Sequence, residues 1–266
     1  MFALKLLSLV IVMLSNSPIL TFGFSTVTSR INNLKPPQYS GEHEVLVSLQ
    51  SLTKAPYSVD IPNSRLIQSC DSGVAKSRNV VLDNSLGKYL VFGDDDITFI
   101  ESGLIQVIQF FEEHPECAII LAQAINDFGM PRKKYKKYIS PLRLTNTARA
   151  ATYEIVVRLG AIRNAGIRFD ENFGAGVENY LGDEFIFIAD ALRAGLTGIH
   201  LPVVIAVHPE KSSGSVWGTD TDLSARAKVF TRVFGASAPI MRLAFLLKTK
   251  NSKLGLLPSL KFIFKQ

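Results

Sequence analysis

Three consecutive carboxylates, Asp94, Asp95 and Asp96, follow the apolar run at residues 89–92 after a single glycine. A short β-branched and aromatic run of this kind predicts a buried strand, and open α/β sheets place their ligands at the carboxyl ends of such strands. Adjacent carboxylates repel one another and are costly to desolvate. A divalent cation with oxygen ligands, Mg²⁺ or Mn²⁺ carrying phosphates, would neutralise them. A solvated Asp-rich turn is the alternative interpretation.

Strand and helix patterns alternate along much of the chain. Short apolar runs predict strands at residues 19–27, 44–49, 89–92, 118–124 and 199–207. Apolar spacing predicts helices at residues 73–84, 102–114, 183–194 and 226–234, and residues 152–165 could form another. This alternation implies an α/β fold with a mainly parallel central sheet flanked by helices on both faces. Such a fold places the three aspartates in a crevice at the sheet edge.

The composition is that of a folded protein with one large domain. The 266 residues are 47% hydrophobic and 20% charged, which excludes a largely disordered chain. No linker, low-complexity tract or internal repeat divides the sequence. We expect the domain to cover residues 19–235, between an apolar leader at residues 1–18 and a basic, apolar tail at residues 236–266.

The leader and the cysteines bear on the cellular compartment. Residues 1–14 contain one Lys followed by an apolar run that is similar to the core of a signal peptide but too short for a transmembrane helix. A membrane-touching leader, a further element of the fold and a wrongly chosen start codon are all open interpretations. The two cysteines, Cys70 and Cys117, are not spaced like metal ligands, which fits a reducing compartment.

Positive charge is unevenly distributed. The net charge is +6, and cations concentrate at residues 132–137 and in the tail from Arg242 to Lys265, which contains no acidic residue. Such stretches suit phosphate groups, anionic lipid or nucleic acid, and charge alone does not choose between them. A solvated basic surface is the default for residues 132–137. For the tail, the pattern predicts either a segment that lies on an anionic membrane or a C-terminal helix packed on the core.

Several motifs follow one another in a recognisable order. They are residues 73–79 with the sequence GVAKSRN, the strand entry GKY at residues 87–89, the three aspartates, Gly182-Asp183-Glu184, and His208. In this order they resemble the motifs of family 2 glycosyltransferases with the GT-A fold, over roughly residues 21–217. The resemblance implies a Rossmann-like nucleotide-binding half. It also implies transfer of a sugar, with inversion, from a nucleotide-diphospho-sugar donor to a saccharide or lipid-linked acceptor.

The resemblance implies a metal site at the aspartates. The family's Asp-x-Asp motif falls on Asp94 and Asp96, with Asp95 between them. Asp96 is similar to the metal ligand, and Asp94 and Asp95 are expected to contact the metal or the donor. His208 stands where the family often has a His that completes the metal or diphosphate site. Mn²⁺ or Mg²⁺ is the implied cofactor, because the leaving diphosphate must be neutralised.

Asp183 and Glu184 correspond to the acidic pair that opens a helix in this family and supplies the base for the acceptor hydroxyl. Gly195 lies eleven residues after Glu184, as the family's closing Gly lies after the base, so Glu184 occupies the base position. The order of acid types is swapped relative to the family, and the choice between Glu184 and Asp183 stays open. Favourable placement of acids at a helix N-terminus explains both without catalysis.

The remaining expected contacts are to the donor. By the resemblance they are Thr26, Arg30, Gln50, Lys76, Arg78, Asn79 and Ser213. Arg78 could equally anchor a loop. Residues 48–51 lack the acid that contacts the nucleotide base in the family, so a UDP-sugar is favoured without being fixed. Because such donors are cytosolic, we expect a cytoplasmic protein, peripheral on the inner face of a membrane, and no nucleic-acid partner.

Two other classes of protein fit parts of the pattern. Residues 94–98 also match the Asp-x-Asp-x-Thr motif of haloacid-dehalogenase-type phosphohydrolases, with Asp94 as nucleophile. That chemistry needs a second acid shortly after the later Gly-Asp motif, where this chain has Phe185 and Ile186. A nucleotide-sugar-binding protein with a decayed site is the non-enzymatic alternative, and the intact carboxylates argue against it.

Overall fold

A mixed sheet forms the centre of the protein. The structure is a computed structural model that describes residues 18–53, 57–209, 218–248 and 254–265, so most of the predicted leader lies outside the described residues. The strands are β1 Leu20–Val27, β2 His43–Gln50, β3 Ser64–Ser69, β4 Tyr89–Asp94, β5 Thr98–Phe99, β6 Cys117–Ile125, β7 Ser140–Pro141, β8 Ile155–Arg158 and β9 Thr197–Val207. Their spatial order is β3-β2-β1-β4-β8-β6-β9-β5, with β7 paired to β9.

Four of the seven described α-helices lie close to where the sequence predicts them, at residues 74–84, 101–113, 183–193 and 220–234. The seven are α1 Val74–Asn84, α2 Glu101–Glu113, α3 Leu159–Asn164, α4 Asp183–Arg193, α5 Asp220–Phe234, α6 Ala238–Lys248 and α7 Leu256–Phe264. Helix α5 begins six residues before the predicted start. The reason is a cap, since the side chain of Thr219 accepts a hydrogen bond from the backbone N–H of Asp222.

The pairing of the strands confirms a mainly parallel sheet. Strand β1 pairs in parallel with β2 and β4, β2 with β3, and β6 with β9. Strand β8 lies between β4 and β6 and is antiparallel to both, and the short strands β5 and β7 are antiparallel to β9. The four strands β3-β2-β1-β4 form the Rossmann-like half that the resemblance implies.

Helices cover both faces of the sheet. Leu104, Val107 and Phe111 of α2 pack into one core cluster, and helices α1, α3 and α4 contribute to the other. Two close approaches need glycine. A Cβ on Gly23 of β1 would lie 2.3 Å from Cγ1 of Val81, and one on Gly103 of α2 would lie 2.0 Å from the carbonyl oxygen of Val204. These contacts fix α1 against β1, the neighbour of the strand that ends in the aspartates, and α2 against β9.

The expected helix at residues 152–165 is wrong over its first half. Residues Thr152–Glu154 form a 3-10 turn, and β8 and α3 follow it. Ile155, Val156 and Val157 pair with β4 on one side and β6 on the other. β-Branched residues fit a sheet well, and pairing on both edges outweighs the local helical spacing.

The C-terminal tail folds back onto α5. Leu246 of α6 and Phe262 of α7 pack against Phe230 of α5. Arg242 is 1% exposed, and its guanidinium donates to the carbonyl oxygens of Ala227 at 2.8 Å and Ile263 at 3.0 Å. This buried arginine therefore ties the three helices together. The tail thus contains C-terminal helices that pack on the core, which is one of the two alternatives that the sequence predicts. The domain boundaries at residues 18 and 235 stay predictions.

Helices α6 and α7 nevertheless expose an apolar stripe. Its members are between 42% and 79% exposed. They are Ile240, Leu243, Leu247, Leu256, Leu257, Leu260 and Phe264. Separately, the 29-residue stretch Asp220–Lys248 is, by length and composition, apolar enough to cross a membrane, and it is alone in this among the described residues. A core helix can meet the same criterion, and α5 contributes Val229 and Val233 to the core.

Candidate functional site

The carboxyl ends of β1 and β4 form the floor of the candidate site. These parallel neighbours place Ser25 of β1 opposite Asp94 of β4. The sheet order reverses here, because β2 and β3 lie on one side of β1 and β4 lies on the other. Ligands of open α/β sheets bind at such a reversal. The three aspartates therefore lie at the crevice that the sequence predicts.

Asp95 is the most enclosed of the three aspartates, with its side chain 5% exposed. Oγ1 of Thr26 donates to its Oδ2 at 2.9 Å, and Nη2 of Arg30 lies 2.6 Å from its Oδ1. Burial raises the pKa of Asp95 above its ordinary value, and the bonds to Thr26 and Arg30 act in the opposite direction. Thus Thr26 and Arg30, two expected donor contacts, hold an aspartate at the floor of the crevice.

Arg78 of α1 is the hub of the site. Its Nη1 donates to Asp183 and, at 3.3 Å, to Oε1 of Glu184, while its Nη2 donates to Oδ1 of Asp94 at 3.3 Å. The residue is 4% exposed. Burial alone would lower the pKa of Arg78, but the three carboxylates raise it above its ordinary value. One permanent cation therefore joins acids that lie about a hundred positions apart in the sequence.

The acidic pair occupies the first turn of α4, and its two members differ in exposure. The side chain of Asp183 is 4% exposed and that of Glu184 is 19% exposed. Burial, together with the charge of Glu184, raises the pKa of Asp183. Burial also acts to raise the pKa of Glu184, but Arg78 and a 2.6 Å hydrogen bond from Oγ1 of Thr152 outweigh it, so this pKa is lowered. Glu184 is the accessible, ionised member of the pair.

Two glycines with positive φ allow this close arrangement. Gly182 precedes α4 with φ of 92°, and a Cβ there would lie 2.5 Å from Cγ2 of Val229. Gly174 has φ of 103°, and a Cβ there would lie 2.9 Å from the carboxyl carbon of Asp183. Side chains other than glycine are strained in this backbone region and would also collide. The first turn of α4 is thereby held against the loop that precedes it.

Asp96 and His208 face each other on the other side of the crevice. Nε2 of His208 lies 3.8 Å from Oδ1 of Asp96. Nδ1 of His208 lies 2.7 Å from the carbonyl oxygen of Pro209, to which it can only donate. In its neutral form the ring therefore directs the lone pair of Nε2 toward Asp96. The ring of Tyr153 packs on that of His208, with centroids 4.8 Å apart.

This pair fits a divalent cation. Oδ1 of Asp96 is buried and accepts no hydrogen bond from the described residues, and a buried carboxylate oxygen without a partner is costly. Carboxylate oxygen and imidazole nitrogen both suit Mn²⁺, and the carboxylate suits Mg²⁺. Within the described ranges no three His, Cys, Asp or Glu side chains gather as a metal cluster. Two protein ligands leave room for ligands from a substrate. Asp94, the third expected ligand, contacts Arg78 instead.

The other expected donor residues are distributed more widely. Gln50 accepts a hydrogen bond at 2.9 Å from the backbone N–H of Gly73 and so holds the start of α1. Asn79 bonds the backbone of Phe169 in both directions. Lys76 lies 3.9 Å from the exposed Asp71, and among the described residues it forms no ion pair with Asp94, Asp95 or Asp96. Ser213 lies outside the described residues. The contacts of Gln50 and Asn79 are those of residues that position loops.

The turn Thr152–Glu154 is part of the site that the sequence did not predict. Its three side chains each contact a different part of the site. Thr152 bonds Glu184, Tyr153 packs on His208, and Glu154 accepts hydrogen bonds from Lys133 at 2.5 Å and from the hydroxyl of Tyr135 at 2.6 Å. The helix predicted over residues 152–165 would point these three side chains in different directions around its axis, so their contacts with the site were not predicted.

The same contacts correct the interpretation of residues 132–137 as a solvated basic surface. The side chain of Lys133 is 17% exposed and is ion-paired with Glu154, which is 2% exposed. Burial lowers the pKa of Lys133, although Glu154 opposes this effect. Exposed cations remain at Lys134 and Lys137. Part of the basic segment is therefore a buried support for the 152–154 turn.

A cleft of about 660 Å³ adjoins the acidic pair. Glu184 and Phe185 line it from α4, and Val229 and Phe230 line it from α5. The side chain of Phe245, from α6, lines the cleft as well. A cleft of this size can hold a ligand larger than a single sugar. It therefore connects the accessible acid with the C-terminal helices.

The order of the strands and the helices on both faces define a GT-A-like fold. The chain has the fold of TarS from S. aureus. It matches residues 1–349 of TarS in complex with UDP-GlcNAc with a TM-score of 0.58 and 16% identity, over 92% of this chain and 70% of that one. For the UDP complex the TM-score is 0.53 and the identity 15%. A longer TarS chain matches with a TM-score of 0.55 and 16% identity, and this protein spans 42% of its length.

Comparisons of sequence alone give no match. No protein-family model matches the chain, and no curated protein does. At 16% identity the structural likeness to TarS shows the fold. The fold expected from the motif order is thus confirmed.

Proposed function

We propose that the protein is a metal-dependent glycosyltransferase. It moves a sugar from a nucleotide-diphospho-sugar to a hydroxyl of a saccharide or lipid-linked acceptor, with inversion. One observation carries this proposal: Arg78 gathers Asp94, Asp183 and Glu184 at the carboxyl edge of the sheet, beside Asp96 and His208. TarS, which has this fold, binds UDP-GlcNAc and UDP in its crystal structures, which supports a UDP-sugar as donor.

Glu184 is the proposed general base. A base must be ionised and must reach the acceptor hydroxyl. Glu184 meets both conditions, because its pKa is lowered and its side chain lines the cleft. Asp183 is enclosed and bound to Arg78, so we assign it the role of orienting that arginine. Of the two residues that the sequence left open, we therefore assign the base to Glu184.

Asp96 and His208 are the residues that would hold Mn²⁺ or Mg²⁺. The cation, when bound, would supply Lewis-acid stabilisation of the leaving diphosphate. The chain's own contribution is to hold the two ligands in place. Nδ1 of His208 is fixed by the carbonyl oxygen of Pro209, and Nη2 of Arg30 lies 3.3 Å from Oδ2 of Asp96. Each ligand is thus oriented through the atom that would not face the cation.

The nucleotide is expected to lie over the ends of β1 and β2. Thr26 lies near the end of β1, Arg30 follows that strand, and Gln50 ends β2. Arg30 is 48% exposed while contacting Asp95 and Asp96, so its guanidinium can also reach a ligand in the crevice. The position of Gln50 beside the N-terminus of α1 allows it to meet a base or ribose edge without moving the helix.

The test is a product assay with defined donors. The purified protein is incubated with UDP-GlcNAc, UDP-glucose or UDP-galactose in the presence of Mn²⁺, and release of UDP is measured with and without EDTA. We expect release from at least one donor, dependent on the metal. No release and no binding of any nucleotide sugar would contradict the proposal.

We also propose that the protein is cytoplasmic and peripheral on an anionic membrane, with the apolar stripe of α6 and α7 at the lipid interface. From Leu223 to Gln266 the chain has no acidic residue, and Lys248, Lys261 and Lys265 are available to lipid headgroups. An apolar stripe flanked by lysines is typical of interfacial helices.

Point variants test the membrane contact better than truncation, because Arg242, Leu246 and Phe262 belong to the core. The double variant Leu243→Glu/Leu247→Glu should lose binding to vesicles that contain phosphatidylglycerol. The variant Leu86→Glu is the control, since Leu86 is 59% exposed and lies outside the stripe. Equal binding of the wild type and the double variant would contradict a role of the stripe.

A further inference from the structure

We propose that the cleft beside Glu184 is the subsite for the apolar chain of a lipid-linked acceptor. This inference rests on the proposed function, because it is Glu184 that requires the acceptor hydroxyl at this end of the cleft. An occupant that reaches Glu184 and is longer than one sugar must continue along the remaining walls. The chemistry of those walls therefore reports the class of acceptor.

The walls beyond Glu184 are mainly apolar. Phe185, Val229, Phe230 and Phe245 lie along the cleft, and small residues such as Ala148 leave its volume of about 660 Å³ open. The rings of Phe230 and Phe245 have centroids 5.3 Å apart. Burial of apolar surface against such walls favours a hydrocarbon chain over a hydrated saccharide.

The charged groups of the cleft are already paired. Asp222 is fully buried, and Nε of Arg226 donates to its two carboxylate oxygens at 2.9 Å and 3.0 Å. The hydroxyl of Tyr180 donates to the same carboxylate at 3.3 Å. A polar polymer would need partners for its many hydroxyls, and a paired carboxylate offers few. An apolar chain makes no such demand.

The far wall of the cleft belongs to the helix that carries the apolar stripe. Phe245 lines the cleft from α6, while Leu243 and Leu247, two positions before and after it, are 45% and 78% exposed. Positions two apart on a helix point to nearly opposite sides, so Leu243 and Leu247 lie on the outer face of α6 and Phe245 lies on its inner face. Helix α6 therefore separates the cleft from the apolar stripe, and labels on Leu243 or Leu247 would report the stripe rather than the cleft.

The experiment uses a photoreactive probe. Decyl β-glucoside with a diazirine at the end of its chain is added below its micelle concentration, irradiated, and the labelled residues are mapped by mass spectrometry. We expect labels on Val229, Phe230 or Phe245, and competition by decyl β-glucoside but not by methyl β-glucoside. Labels confined to Leu243, Leu247 and α7, or equal competition by the methyl glycoside, would overturn the inference.

A matched pair of variants tests the location. Ala148→Trp adds an indole at an exposed alanine of the cleft, and Ala194→Trp adds one at an exposed alanine at the end of α4. Labelling of the cleft should fall by about tenfold or more in the first variant alone, because the indole occupies the space of the chain. Equal labelling of both variants would overturn the inference.

UDP binding is measured in the same samples. If the wild type binds UDP but the probe does not label the cleft, the lipid subsite alone is refuted. If the wild type does not bind UDP, the proposed function is refuted.

Discussion

The two sides of the crevice handle negative charge differently. On the side of α4, Asp183 and Glu184 are balanced by the protein's own cation, Arg78, which is 4% exposed. On the side of β9, a buried oxygen of Asp96 has no hydrogen-bond partner among the described residues and faces Nε2 of His208. Acids that are paired within the protein hold their geometry without a ligand. A buried carboxylate oxygen that has no such partner, as Oδ1 of Asp96 has none among the described residues, is available to bind one.

This difference separates structural from ligand-dependent electrostatics within a single site. The α4 side should be rigid and should matter to the stability of the fold, while its accessible member, Glu184, should matter to the reaction. The β9 side should matter little to stability and should respond to an added cation. Variants on the two sides therefore test whether the α4 side and the β9 side differ in this way.

The largest expected effect is on transfer. Glu184→Gln keeps the size of the side chain and the partners Arg78 and Thr152 but removes the base, and removal of a general base costs about 10²-fold to 10⁴-fold in rate. The initial rate of UDP release in the presence of acceptor measures it. Binding of UDP should be unchanged, and a variant that retains full transfer would show that Glu184 is not the base.

The next effect is on stability. Arg78→Met removes the cation from the buried Asp183 and the partly buried Glu184, which should cost about 3–5 kcal/mol of unfolding free energy. Arg30→Met is the matched control, since Arg30 is 48% exposed and its ion pairs should contribute about 1 kcal/mol or less. Urea unfolding of both variants gives the two values. Similar losses would erase the distinction between the two sides of the crevice.

The smallest effect concerns pH. Arg78 and the hydroxyl of Thr152 lower the pKa of Glu184 against the effect of burial, so the base form persists to lower pH. Activity needs that form and is lost as pH falls through the pKa. Thr152→Val removes the hydroxyl and should move this acid limb to higher pH, while Thr152→Ser should leave it in place. A pH–rate profile with the same acid limb in all three proteins would refute the role of Thr152.

Local patterns predicted the parts of the site that are local in sequence. The short β-branched and aromatic run at residues 89–92 predicted a strand, which placed the three aspartates at the end of β4. The first turn of α4 was predicted in the same way, since apolar spacing begins at Phe185. These features depend on neighbours within one element, which the sequence shows directly.

The contacts between elements could not be predicted. The hub at Arg78 requires α1 and α4 to meet, and its partner Asp183 lies 105 residues away in the chain. Residues 155–158 were predicted to be helical because the local apolar spacing fits a helix. They form strand β8 instead because they pair with β4 and β6, and local spacing does not show contacts with segments so distant in the sequence. Thr152 and Tyr153 lie in the same wrongly predicted segment, so their contacts with Glu184 and His208 were not predicted.

The most direct test of the account is a calorimetric titration with UDP. Wild type and Asp96→Asn are each titrated in Mn²⁺ and in EDTA, and unchanged urea unfolding of the variant serves as control. We expect the wild type to bind UDP in a way that depends on Mn²⁺. We expect Asp96→Asn to lose this binding or to bind UDP about tenfold or more weakly. Equal binding by both proteins in Mn²⁺ and in EDTA would contradict the assignment of the β9 side as a cation site.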